Sequence, residues 1–165
     1  TSNAGSGKNR GLEFESSTKI SSNLSFKTSY GFLQTDVKKF SYQTFSGQSF
    51  GGEREAAMSP KEMGSFTINY QKRDFNISFN CTYKDEYFFS DSHDEKSKAY
   101  SLSNVTMIKS YNKLSFKFWV RNVFDKRYAV RGFYFGLIPP NYEDKLFLSY
   151  GDPREFGLGL EYQFK

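Results

Sequence analysis

The 165-residue sequence is short of most groups on which catalysis and metal binding depend. It has one cysteine, Cys81, which excludes an internal disulfide framework and any zinc site built from several thiolates. It has one histidine, His93, so no pair of imidazoles is available for a metal or a proton relay. No stretch approaches 18 consecutive apolar residues, which excludes a membrane-spanning helix. The basic excess is small, +5 from 23 Lys and Arg against 18 Asp and Glu. It is not gathered into a block, so it leaves no nucleic-acid footprint. Ile, Leu and Val together number only 20, too few for the aliphatic core of an ordinary soluble domain.

What is abundant is aromatic: 19 Phe, 12 Tyr and one Trp. These residues fall at alternate positions, the period of a strand with two unlike faces. The clearest run ends the chain, with Phe156, Leu158, Leu160, Tyr162 and Phe164 on one face. Gly157, Gly159, Glu161, Gln163 and Lys165 take the other. The same alternation marks 12–15, 24–32, 65–70, 75–84 and 114–121. A seventh run, 99–111, changes parity between Leu102 and Val105, which predicts a bulge near Asn104.

The gaps between the seven runs alternate in length. Those at 21–23, 72–74 and 111–113 are turn-sized, whereas 37–60, 86–98 and 129–153 are long. Up-and-down strands with tight turns on one side and long loops on the other describe a transmembrane β-barrel. The predicted fold is therefore all-β: an antiparallel, up-and-down transmembrane barrel whose strands suffice to cross a bilayer. Aromatics at the strand ends, such as Tyr83, Tyr111, Tyr128 and Phe164, suit its interfacial girdles. Seven strands close no antiparallel barrel. Either the chain belongs to a larger barrel, or an eighth strand lies within a long loop at 137–150 and makes a small self-contained outer-membrane barrel or adhesin. A soluble sugar-binding sandwich is a third reading.

Two segments resemble motifs of a known family. Asn122, Phe124, Asp125 and Tyr128 fit the N-x-F-D-x-x-Y pattern near the end of TonB-dependent outer-membrane receptors. Gly151, Pro153, Arg154 and Phe156 fit the G-x-P-R-x-F pattern that opens their final strand. Asn3-Ala4-Gly5 with Gly11-Leu12-Glu13 is similar to a strand further upstream. Such barrels end on an aromatic; here Phe164 is followed by Lys165. The resemblance implies that residues 1–165 are the last seven strands of a 22-stranded barrel. It also implies a plug domain upstream, coupling through the plug to TonB, and uptake of a scarce nutrient such as a ferric siderophore or similar iron chelate. The lipid bilayer of the outer membrane would be the remaining partner.

Nothing in the sequence supports an enzyme, a bound metal or a cofactor. Asp91, His93, Asp94 and Glu95 lack the spacing of a calcium loop and are expected to form a solvated acidic loop. Cys81 lies on an apolar strand face, where it acts as a small hydrophobe. Ligand is expected at the long loops, which carry Tyr42, Arg54, Tyr87, Arg131, Tyr134 and Tyr142, an aromatic and basic set suited to anionic, aromatic iron chelates. The residues of the two family motifs are expected to be structural, with Asn122, Phe124, Asp125 and Tyr128 fixing where the sixth strand leaves the membrane.

Overall fold

The computed structural model describes residues 6–43 and 49–164, and their side chains apart from 38–43 and 49–53. Every element among them is a strand. Seven long strands form one antiparallel wall in sequence order. They are β1 (Gly7–Lys19), β2 (Leu24–Gln43), β4 (Glu62–Lys72), β5 (Phe75–Lys84), β8 (Tyr100–Tyr111), β9 (Leu114–Arg121) and β12 (Glu155–Tyr162). The long connections carry short hairpins of their own. β3 (Ser49–Arg54) pairs with the outer part of β2, β6 (Tyr87–Phe88) with β7 (Lys96–Ser97), and β10 (Ala129–Phe135) with β11 (Lys145–Tyr150).

The register explains the alternation. One hydrogen-bonded row runs Thr18, Phe26, Ile68, Phe79, Val105, Val120, Phe156 across all seven strands. The next runs Leu24, Tyr70, Ile77, Met107, Phe118, Leu158. A slip of one residue would send each apolar set to the other face, so the shared parity pins the pairing. Outward residues stay partly or largely open within the wall as well as on its edge strand β12: Phe116 is 52% exposed and Ile68 39%, against 85% for Leu158. Apolar side chains so exposed in one continuous sheet face require a lipid solvent.

The turns at 20–23, 73–74 and 112–113 fall about two residues farther along the row with each hairpin, counted from Thr18, Ile68 and Val105. This stagger tilts the strands as a barrel wall requires. Among the described residues there is no second sheet packed face to face on the wall, so the sandwich reading fails. The 129–150 hairpin pairs with itself and adds no strand to the wall, so among the described residues the eighth-strand reading fails too. The wall is part of a barrel.

Two expectations are corrected. β8 pairs without interruption with β5 from Tyr100 to Lys109, so there is no bulge at Asn104. The irregularity lies across from it, where β9 ends at Arg121 and Asn122 turns to φ +46°. Leu102 faces inward instead, where Thr82 is its partner. The sixth strand is correspondingly shorter than the gap pattern implied, because residues 122–128 fold into a compact exit turn.

Trp119, inward on β9, has no apolar core to enter. Its indole lies on Gly157, where any Cβ would meet the ring at 2.5 Å, and the Arg121 guanidinium caps it at 4.9 Å. Lys117 and Arg121 alternate away from the lipid-facing set, as the strand period requires.

Candidate functional site

All three long connections emerge at the end of the wall opposite the tight turns. Two of them, 86–98 and 129–150, fold against each other. Tyr87 is 1% exposed; its hydroxyl donates to the Val130 carbonyl (3.1 Å) and its ring meets Phe89 edge to face. It is a core residue of the loops and presents no surface to a ligand. Gly132 belongs to the same core, since a Cβ there would strike the Phe89 ring at 2.6 Å.

The acidic loop is wired, not merely solvated. His93 is buried and stacks on Tyr134, centroids 3.5 Å apart with planes within 5°. Its Nδ1 lies 3.2 Å from the hydroxyls of Ser90 and Ser92, and its Nε2 lies 3.5 Å from an Asp144 carboxylate oxygen. The Tyr134 hydroxyl donates to Glu95. Burial, and then that bond to a carboxylate, push the Tyr134 phenol well above its ordinary range. Asp91 accepts the Ala57 N–H, and Asp94 pairs with Arg54 at 3.1 Å; the three carboxylates Asp91, Asp94 and Glu95 stay exposed around the buried His93. Among the described residues no three His, Cys, Asp or Glu side chains gather as a metal site would need.

Arg54 also donates to the His93 carbonyl (2.6 Å) and lies 4.0 Å over the Phe88 ring, whose centroid is 4.4 Å from Lys96 Nζ. Arg54 thus clamps the end of the β2–β3 hairpin to the 86–98 loop. Arg131 and Tyr134 border a hollow of about 690 Å³ with Phe133, His93, Ser90 and Asp144. Arg131 is exposed and makes no ion pair with any described residue. Tyr142 is exposed at the tip, its N–H on the Ile138 carbonyl. Tyr42 lies outside the described side chains. Of the six expected ligand residues, the structure therefore brings Arg131 and Tyr134 to one hollow. It assigns Arg54 and Tyr87 to holding the loops together. Sequence reading missed His93, Phe88, Lys96 and Asp144 as loop-packing groups; the sole trace was the unusual density of charge at 91–96.

The two family motifs meet at the wall's outer rim. Asn122 is 5% exposed. Its amide donates to the carbonyls of Lys126 (2.9 Å) and Asp152 (3.1 Å) and accepts the Lys126 N–H (2.8 Å). Its backbone N–H donates to Asn104 Oδ1 on β8 (3.0 Å). Asp125 accepts the Arg154 N–H (2.8 Å), and Arg154 reaches back to the Val123 carbonyl (3.5 Å). Tyr128 lies flat over Gly151, where a Cβ would come within 2.1 Å of its ring. Segments 122–128 and 151–156 are thus one knot that closes the 129–150 hairpin at its base. Phe124 stays outside the knot, 76% exposed. Asn104 links on to Asn80 (3.4 Å) and Asn80 to Thr67 (2.9 Å), so a polar row ties the knot to the inner face of β8, β5 and β4.

A family model, described as TonB dependent receptor-like, beta-barrel, matches residues 1–123. The chain belongs to this family. No curated protein matches it. Solved structures share its shape. The ferric yersiniabactin uptake receptor FyuA from Yersinia pestis aligns with TM-score 0.79 at 15% identity, over 99% of this chain and 24% of that one. The ferripyoverdine receptor of the outer membrane of Pseudomonas aeruginosa aligns with TM-score 0.66 at 20% identity, over 96% and 20%. The ferric-catecholate import receptor Fiu from K12 E. coli gives 0.53 at 14%, over 99% and 30%. The chain thus spans about a quarter of the length of these receptors. TonB-dependent receptor barrels are outer-membrane proteins and not enzymes, so the exposed apolar face of this wall is its lipid face. The matched region stops at Val123, inside the first motif, and the remaining segment to Phe156 is tied to it by the knot.

Proposed function

We propose that the chain is the C-terminal seven-strand segment of a 22-stranded receptor barrel, with a plug domain upstream, that takes up a ferric siderophore or similar iron chelate with energy passed from TonB. The short turns then face the periplasm and the loop body faces outside. The observation that carries the ligand reading is the hollow bordered by Arg131 and Tyr134. Its volume falls in the ordinary range of small-molecule sites, and it sets an exposed guanidinium, with no ion pair to any described residue, beside aromatic rings. That combination suits an anionic chelate with aromatic donors. The ferric ion would arrive as cargo inside the chelate, so the protein needs no ligands of its own for it.

The test uses the full-length receptor in iron-starved cells, with radioactive iron loaded onto catecholate, phenolate and hydroxamate chelators. Arg131→Ala is expected to weaken binding of the transported chelate by roughly tenfold, the loss of one charge-assisted contact. Barrel assembly should be unchanged, since Arg131 supports no other described residue. Undiminished affinity for every chelator that the wild type binds would move the site away from these loops. Removing the whole of 129–153 would not be a clean test, because Gly151 and the Asp152 carbonyl belong to the knot.

A further inference from the structure

The lipid face carries one charge among the outward strand positions of β5, β8, β9 and β12: Lys109. It lies on β8 in the row Phe75, Lys109, Phe116, Leu160, two residues from Tyr111 and the tight turn. Its ammonium reaches Asp74, in the neighbouring turn, at 2.6 Å. An ammonium that near the end of a strand snorkels to the level of the lipid head groups. From this pair a groove of about 390 Å³ runs along the outward face, lined by Phe75, Met107, Phe116, Phe118, Leu158 and Leu160.

We propose that this groove holds one phospholipid of the periplasmic leaflet whose head group carries both a phosphate and an ammonium. The inference rests on the membrane orientation and not on the identity of the transported chelate. The geometry matches a lipid in direction as well as in chemistry. The charged pair stands at the periplasmic end, and the apolar lining extends from it toward the middle of the bilayer, as an acyl chain does. Two signs of charge side by side select a zwitterion: phosphate takes Lys109, with Lys72 and Arg73 adjacent in sequence to the turn, and the lipid ammonium takes Asp74. A free phosphate would leave the apolar groove empty, and a detergent or hydrocarbon would leave the pair unused.

The experiment is native mass spectrometry of the full-length receptor in mild detergent with equimolar phosphatidylethanolamine and phosphatidylglycerol. The wild type is expected to keep one phosphatidylethanolamine under activation that strips the remaining lipid. Lys109→Met should lower that occupancy about fivefold, the effect of one interfacial basic side chain. Met107→Trp, which fills the groove without altering charge, should lower it as well. Asp74→Asn should turn the preference toward phosphatidylglycerol, and the heat-shift of the folded barrel on gels verifies that each variant has assembled. Equal occupancy in the wild type and in the assembled variants, or a wild-type preference for phosphatidylglycerol, overturns the proposal.

Discussion

Replacing Asn122 with alanine is expected to destabilise the barrel by about 3–4 kcal/mol. Three side-chain hydrogen bonds around the buried Asn122 amide disappear, and the Lys126 N–H and the carbonyls of Lys126 and Asp152 lose their partner in a part-buried turn. Alanine also tolerates φ +46° poorly, where asparagine does so more readily. The two contributions can be separated. Asn122→Gly relieves the backbone but not the hydrogen bonds, so it should recover about 1 kcal/mol of the loss. Asn122→Asp keeps the acceptor and loses both donors, and should fall between the wild type and alanine. Urea midpoints of the receptor refolded into lipid vesicles measure this series. Wild-type stability for the alanine variant would show that the knot is ornament and that the exit of β9 is fixed elsewhere.

Leu160→Arg should have a comparably large effect for a different reason. Leu160 lies midway between Phe156 and Phe164 on the outward face and is 68% exposed. In water such a substitution at an exposed site would be nearly neutral. In a bilayer an arginine near the midplane costs about 2–4 kcal/mol and one near the interface about 0–1. Tyr162→Arg, one outward position closer to the periplasm, should therefore cost less than Leu160→Arg. The same refolding assay reads both. Equal small effects at the two positions would place this face in water.

Much of the wall was legible in the sequence because its cause is local. Strand period, lipid on one side and water on the other leave a mark on each alternate residue, as in the last strand from Phe156 to Phe164. Loop lengths carried the topology, since tight turns and long excursions differ in kind. The bulge expected at Asn104 failed for an instructive reason. Leu102 and Val105 differ in parity because Leu102 is an inward apolar residue, and the true break sits on the paired strand at Asn122. One strand's sequence does not say which partner absorbs an irregularity.

The loops were much less legible. Tyr87 and Arg131 are both conspicuous polar-aromatic or basic residues in long connections, yet one is sealed in the loop core and the other is open. What separates them is the Tyr87 bond to the Val130 carbonyl, 43 residues along the chain. The His93–Tyr134 stack and the Arg54–Phe88–Lys96 arrangement depend on separations of the same kind. The two family motifs were each visible, but their union was not. Asn122 and Asp125 reach Asp152 and Arg154 about 30 residues away, and spacing alone assigns no partner over that distance.

The central claim is that this wall lies in the outer membrane with its loop body outside and its tight turns in the periplasm. Single-cysteine labelling of intact cells tests it most directly. With Cys81 replaced by serine, Tyr142→Cys samples the exposed tip of the 129–150 hairpin and Asn112→Cys the turn between β8 and β9. A membrane-impermeant maleimide should label position 142 in whole cells, and position 112 only after the outer membrane has been breached. Labelling of position 112 in intact cells, with 142 protected until the membrane is opened, would contradict the account.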